Sequence, residues 1–134
     1  MKTYYLHISS QGQSGKGNKM RHVESNTQIA CVRWFRYQYQ HLERLLFAIP
    51  NGGARNAVTG AILKAEGVVP GVADLLLLVP SGPYHGLCIE MKTKEGRQSD
   101  SQKEWEQAVT SQGYAYSLVR SFADFKDTIE TYLA

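Results

Sequence analysis

Residues 74–79 (DLLLLV) constrain the fold more than any other stretch. Five consecutive apolar side chains leave neither face of a strand for water. A run this short, bounded by turn residues, reads as a central strand covered on both sides. Pro80-Ser81-Gly82-Pro83 then turns the chain, and residues 87–93 (LCIEMKT) read as the returning strand of a hairpin. Alternation there puts Leu87, Ile89 and Met91 on one face and Cys88, Glu90 and Lys92 on the other. Such a sheet needs helices on both sides, and the rest of the chain supplies them.

Ile29, Val32, Phe35, Tyr39, Leu42 and Leu46 recur at steps of three and four, which predicts one long helix over 24–46. Trp34, Tyr37 and Tyr39 give this helix more aromatic surface than one apolar stripe can bury, so part of it is expected at a subunit interface. Residues 47–49 read as a short strand, ended by the turn 50–53. Residues 55–66 read as a second helix, with Val58, Ala61, Ile62 and Ala65 inward and Gly67 at its C-terminal cap. Ser99-x-x-Gln102 is a capping box that opens a third helix with Trp105, Ala108 and Val109 on its apolar face. Gly113 ends it, and residues 114–119 read as a strand. Ser121-x-x-Asp124 caps a last helix through Leu133, with Phe122, Phe125, Ile129 and Leu133 inward. The expected architecture is α/β, a mixed β-sheet flanked by helices. Ahead of it, residues 4–8 form a candidate edge strand and residues 11–19 read as a flexible basic loop. The glycines of that loop lack the spacing to a Lys-Ser/Thr pair that a phosphate-binding loop requires. Residues 1–20 thus stand as a flexible basic segment and 21–134 as a single domain.

The chain has 134 residues, enough for one domain with a real core. Its 20% charged and 43% hydrophobic residues exclude a disordered or fibrous class. No apolar run approaches the ~20 residues of a membrane span, and the first twenty residues hold no apolar signal-peptide core. Cys31 and Cys88 are too few for a disulfide framework and read as reduced packing residues of a cytoplasmic protein. The net charge of +3 is unevenly spread. Residues 1–60 carry eight Lys or Arg against two acids, and residues 61–134 carry seven against ten. A basic half beside an acidic half suits a polyanion approached by one face. Lys16, Lys19, Arg21 and Arg55 are the expected phosphate contacts, and the turn Asn51-Gly52-Gly53 could admit a substrate backbone.

Glu90 and Lys92 stand where a covered strand should be apolar. Buried charges cost several kcal/mol unless paired or metal-bound. Asp74 begins the neighbouring strand, after the bend Pro70-Gly71-Val72-Ala73, which can aim its carboxylate at Glu90. Two close carboxylates repel unless a cation joins them. Mg²⁺ takes one or two carboxylates plus waters and phosphate oxygens, and an adjacent Lys is a point charge suited to phosphate. The set fits metal-assisted phosphodiester hydrolysis.

Asp74 followed by Glu90-Met91-Lys92 resembles the D…E-x-K core of the PD-(D/E)XK nucleases. Asn51-Gly52-Gly53, Ala65-Glu66-Gly67, Pro70-Gly71-x-x-Asp74, Ile89-Glu90-x-Lys92 and Ser99-x-x-Gln102, in this order, resemble the VRR-NUC branch. The resemblance spans about residues 22–120. It implies a restriction-endonuclease-like sheet and a Mg²⁺- or Mn²⁺-dependent endodeoxyribonuclease leaving 5′-phosphate and 3′-hydroxyl ends. It also implies action on branched or structured DNA such as junctions or flaps, and a stand-alone homodimer, often phage-encoded. Carried over residue by residue, it implies that Asp74, Glu90 and the Met91 backbone carbonyl bind metal. Glu24 is the helix-1 acid that completes the metal shell directly or through water. Lys92 is the catalytic lysine, and Gln102 is the helix glutamine that faces the site. One amide does not easily serve both that role and the capping box. Ala73 stands where the family often has Pro, and the basic motif that names the branch survives only as Val119-Arg120-Ser121, so the resemblance assigns Arg120 no role. Two rivals remain: a non-catalytic DNA-binding module on the same fold, and a small interaction protein whose Glu90 and Lys92 form an exposed pair.

Overall fold

The computed structural model describes residues 16–50 and 57–134, apart from the side chains of 16–18, 20 and 21. The chain runs through α1 (Lys16–Gln38), a 3-10 helix (Gln40–Leu45), β1 (Leu46–Ala48), α2 (Ala57–Ala65), β2 (Leu75–Leu77), β3 (Leu87–Met91), α3 (Asp100–Ser111), β4 (Ala115–Val119) and α4 (Phe122–Leu133). The four strands form one sheet in the order β1-β2-β3-β4. β1 and β2 pair antiparallel across the long connection that holds α2, and β2 and β3 pair antiparallel as a hairpin. β3 and β4 pair in parallel, which needs a crossover of a dozen residues or more, and α3 supplies it.

All five residues of β3 are buried, as a strand covered on both faces requires. On one face Leu75, Leu77, Leu87, Ile89, Met91 and Val119 meet Cys31 and Phe35 of α1 and Phe125 and Ile129 of α4. Trp34 closes the α1–α4 seam, edge-on to Phe125 with ring centroids 6.1 Å apart. The other face lies under α3, where Trp105 packs against Tyr116. Burial pushes the Cys31 and Cys88 thiols up to about 11, so both are neutral packing groups. Among the described residues, no helix is long and apolar enough to cross a membrane.

Several elements depart from the expected reading; β3 ends at Met91, so Lys92 lies just beyond it, its N–H still donating to Val119 O. The first helix starts at Lys16, inside the stretch read as a flexible loop, and ends at Gln38 rather than running to 46. Tyr39 breaks it with a non-helical backbone, and the 3-10 turn brings Leu46 into register with Leu77. Spacings of three residues fit both helix types, so the apolar stripe runs through the break unchanged. At its outer end Ile29 is 50% exposed. α2 forms, and Gly67 caps it with a φ of +103°, the Gly67 N–H donating to Lys64 O and the Val68 N–H to Leu63 O. Its expected inward residues are exposed instead: Val58 is 70% and Ile62 54% accessible. β2 is shorter than 74–79, and Leu78 beyond it is exposed.

Candidate active site

The hairpin register builds the site. Leu75 pairs with Ile89, so one step outward Asp74 stands opposite Glu90, on the face away from the main core. Gly71 permits the bend before it. Its φ is +81°, and a Cβ there would lie 2.3 Å from the Ser101 carbonyl oxygen in the first turn of α3. Asp74 is then held from both sides: its Oδ2 accepts from the Met91 N–H at 2.7 Å, and its carbonyl accepts from the Ile49 N–H at 2.9 Å.

Glu90 is 2% exposed and is the buried charged residue among those described. Its Oε1 accepts from Gln102 Nε2 at 2.9 Å and lies 3.5 Å from Lys92 Nζ. Its Oε2 has no hydrogen-bond partner. Burial first, and the facing Asp74 carboxylate second, push the Glu90 carboxyl up to about 8, against the opposite pull of Lys92. The Lys92 side chain is only 13% exposed, so the exposed-pair reading fails: this pair is inside the protein. The lysine does not lower the cost enough to hold Glu90 ionised at neutral pH, and a divalent cation would.

Gln102 does what one amide was not expected to do. Its Oε1 accepts from the Ser99 N–H at 2.8 Å, completing the capping box with Ser99 Oγ, and its Nε2 donates to Glu90. The oxygen and the nitrogen serve different partners, so cap and site do not compete. Glu24 reaches the same strand end from α1, its Oε1 accepting from the Thr93 N–H at 3.2 Å.

The structure thus brings Asp74, Glu90, Lys92, Gln102 and the Met91 backbone together, and ties Glu24 in through Thr93. Lys19 is exposed on α1. The side chains of Lys16 and Arg21, and the whole of Asn51, Gly52, Gly53 and Arg55, lie outside the described residues, as does the candidate strand 4–8. Sequence reasoning passed over two features. Gln98 Nε2 donates to Glu106 Oε2 at 2.9 Å and to the Tyr116 hydroxyl at 3.2 Å, and Tyr116 pairs with Cys88, placing it on the Glu90 face. Alternation along residues 114–119 could have found that. Arg120, named in the sequence without a role, contacts the turn after Lys92 through backbone carbonyls, which leave no side-chain pattern to find.

The donor set fits a hard divalent cation. Two facing carboxylates are oxygen donors, and Glu90 Oε2 is buried with no hydrogen-bond partner. Among the described residues no group of three or more His, Cys, Asp or Glu gathers, so a cation here would complete its shell with water or substrate oxygens, as Mg²⁺ commonly does.

A covered mixed sheet with a carboxylate pair and a lysine at one strand end is the arrangement of a nuclease domain. The model of the VRR-NUC domain family matches residues 11–123, and the chain belongs to that family. Family members are generally nuclease domains acting on DNA, so the chain is a nuclease in class and DNA is its partner. A solved structure described as a VRR_NUC domain protein is similar at a TM-score of 0.72 and 25% identity, over 81% of this chain and 86% of that one. No curated protein matches the sequence.

Proposed function

We propose that the chain is a Mg²⁺- or Mn²⁺-dependent endodeoxyribonuclease that hydrolyses phosphodiester bonds in branched or structured DNA such as junctions or flaps. The observation that carries the reading is Glu90, a buried carboxylate with one orphaned oxygen, facing Asp74 and 3.5 Å from Lys92. A fold retains such a group against its desolvation cost where a bound cation offsets it.

Asp74, Glu90 and the Met91 carbonyl would hold the cation, with Glu24 joining directly or through water. Bound there, the cation supplies Lewis-acid stabilisation of charge on the scissile phosphate. Lys92 keeps a compact positive charge beside the carboxylates, where it orients the attacking water and stabilises negative charge growing on phosphate. Gln102 fixes the rotamer of Glu90, its own amide anchored by the cap of α3. Lys19, with Lys16, Arg21, Arg55 and the 51–53 backbone, supplies DNA contacts. Lys94 and Arg97, exposed on the segment that leaves β3, add positive charge next to Lys92. Val58 and Ile62, exposed on α2, support a homodimer that covers them.

A cleavage panel tests the reading: linear duplex, single strand, flap and four-way junction, each with Mg²⁺, Mn²⁺ or EDTA. The expected result is cutting of a flap or junction with either metal, lost in EDTA. DNA binding without cutting of any substrate would instead assign a non-catalytic module. Sedimentation equilibrium reads the dimer directly.

A further inference from the structure

Arg120 directly follows the last residue of β4, and the function above makes no use of it. Its Nη1 meets three carbonyl oxygens of one turn: Thr93 at 2.8 Å, Lys94 at 3.2 Å and Gly96 at 2.7 Å. That turn leaves β3 immediately after Lys92 and is closed by the Gly96 N–H donating to Thr93 O at 3.1 Å. It runs against the Lys92 stem, since a Cβ on Gly96 would lie 3.4 Å from Lys92 Cδ.

The backbone around Lys92 is gripped on every side. The Lys92 N–H donates to Val119 O at 2.9 Å, the carbonyl just before Arg120. The Thr93 N–H donates to Glu24, while the Thr93 carbonyl accepts from Arg120. Arg120 is itself anchored, because its backbone N–H donates to Asp124 Oδ2 at 3.1 Å in the first turn of α4. Carbonyl oxygens that converge on one point repel, and a guanidinium between them removes that repulsion. Lysine ends a flexible four-carbon stem, so the place of its ammonium depends on the walls and backbone beneath it.

We propose that Arg120 is a positioning residue for Lys92: it clamps the 93–96 turn from β4 and so fixes the ammonium against Glu90. The proposal rests on the nuclease reading only where the test reads cleavage. The rival role for an exposed arginine is a phosphate contact. Its Nη1 is aimed at loop carbonyls, which favours the clamp.

The test is a double-mutant cycle with Arg120→Gln and Lys92→Ala, read as single-turnover cleavage at saturating DNA and Mn²⁺. Arg120→Gln is expected to slow cleavage about tenfold or more, since misplacement by ~1 Å can cost a hundredfold. DNA affinity in EDTA and Mn²⁺ affinity should stay within twofold. In the Lys92→Ala background the same change should have no further effect. Arg120→Lys should recover part of the rate, as an ammonium can meet the same carbonyls. Multiplying effects in the double variant, or lost DNA affinity with a shallower salt dependence, would overturn the clamp and assign a phosphate contact.

A second readout is independent of cleavage. Competitive acetylation of metal-free, folded protein, read by peptide mass spectrometry, compares Lys92 with the exposed Lys126. Arg120→Gln should raise the Lys92-to-Lys126 labelling ratio severalfold, and an unchanged ratio overturns the proposal. A fully active Lys92→Ala would remove Lys92 from the mechanism proposed above while leaving this labelling result to judge Arg120.

Discussion

The two ends of the β2–β3 hairpin have opposite character. At the tip, Ser81, Gly82, Pro83, Tyr84, Thr128 and Tyr132 line part of a groove of about 590 Å³. Its buried edge is hydrogen-bonded: the Tyr132 hydroxyl donates to Val79 O at 2.6 Å, Ser81 Oγ donates to Tyr132 O, and Ser81 and Tyr84 exchange backbone hydrogen bonds at 3.0 Å. At the other end the strands close over Asp74, Glu90 and Lys92, and a buried carboxylate oxygen is left without a partner. The tip groove holds no buried orphan among the described residues, and the other end does. Where a fold leaves charge unsatisfied is a better guide to chemistry than where it leaves space.

Asp74→Asn should break the comparison most severely, by removing one of the two facing charges. Cleavage should fall by about a hundredfold or more, comparable to losing a preorganised charge-stabilising group. Mn²⁺ binding measured by calorimetry should weaken, and DNA affinity in EDTA should hold or rise. Wild-type cleavage by this variant would show that the crowded end is not the metal site.

The pH dependence of stability comes next. A carboxyl raised to about 8 in the folded protein is protonated there at pH values where the unfolded chain, near 4.5, has already lost the proton. Metal-free stability therefore falls as pH rises from about 4.5 to 8, by on the order of a few kcal/mol. Thermal denaturation in EDTA should show this slope, and Glu90→Gln should flatten it. Divalent cation should raise the melting temperature most at the alkaline end. A Glu90→Gln profile that parallels wild type would mean that the carboxyl is not perturbed as described.

Gln102→Glu sharpens the comparison at smaller cost. Ser-x-x-Glu is as good a capping box as Ser-x-x-Gln, so α3 keeps its cap. The donor to Glu90 is lost and a third carboxylate enters, so the cleavage rate should drop about tenfold while melting with metal bound changes little. Gln102→Ala should lose both cap and rate. Equal activity of Gln102→Glu and wild type would reduce Gln102 to a capping residue.

Tyr132→Phe, at the tip, is the smallest expected effect. It removes one hydrogen bond worth about 1 kcal/mol and should lower the melting temperature slightly. Single-turnover cleavage should be unchanged, and a slowed rate would join the tip groove to the chemistry.

Much of the charged end was legible from residue order alone. A fully apolar run marked β2 as a core strand, although Leu78 just beyond it is exposed; alternation put Glu90 and Lys92 on one face, and the bend before Asp74 allowed its carboxylate to be aimed at Glu90. The capping box located α3 and, with it, Gln102. The 3-10 break after Gln38 was not legible, because its apolar spacing continues that of the helix. The exposure of Val58 and Ile62 was hidden for a related reason: an apolar helix face reads the same whether or not a partner covers it. Glu24 and Thr93 meet across 69 residues. Residue order singled out Arg120 only as a remnant of the family's basic motif; its grip falls on carbonyl oxygens that every residue carries, so its partners were not legible.

Lys92→Ala, assayed as single-turnover cleavage of a junction or flap on folded, Mn²⁺-saturated protein, tests the central claim most directly. The lysine is not a metal ligand in this account, so Mn²⁺ affinity should stay within about twofold of wild type. Its charge acts on the transition state, so the rate should fall by on the order of a hundredfold or more. Lys92→Arg should also be slow, because a broad planar guanidinium does not occupy the place of a compact ammonium. A Lys92→Ala protein that cuts at the wild-type rate, with only a lowered melting temperature, would contradict the account and leave the buried Glu90–Lys92 pair as a structural feature.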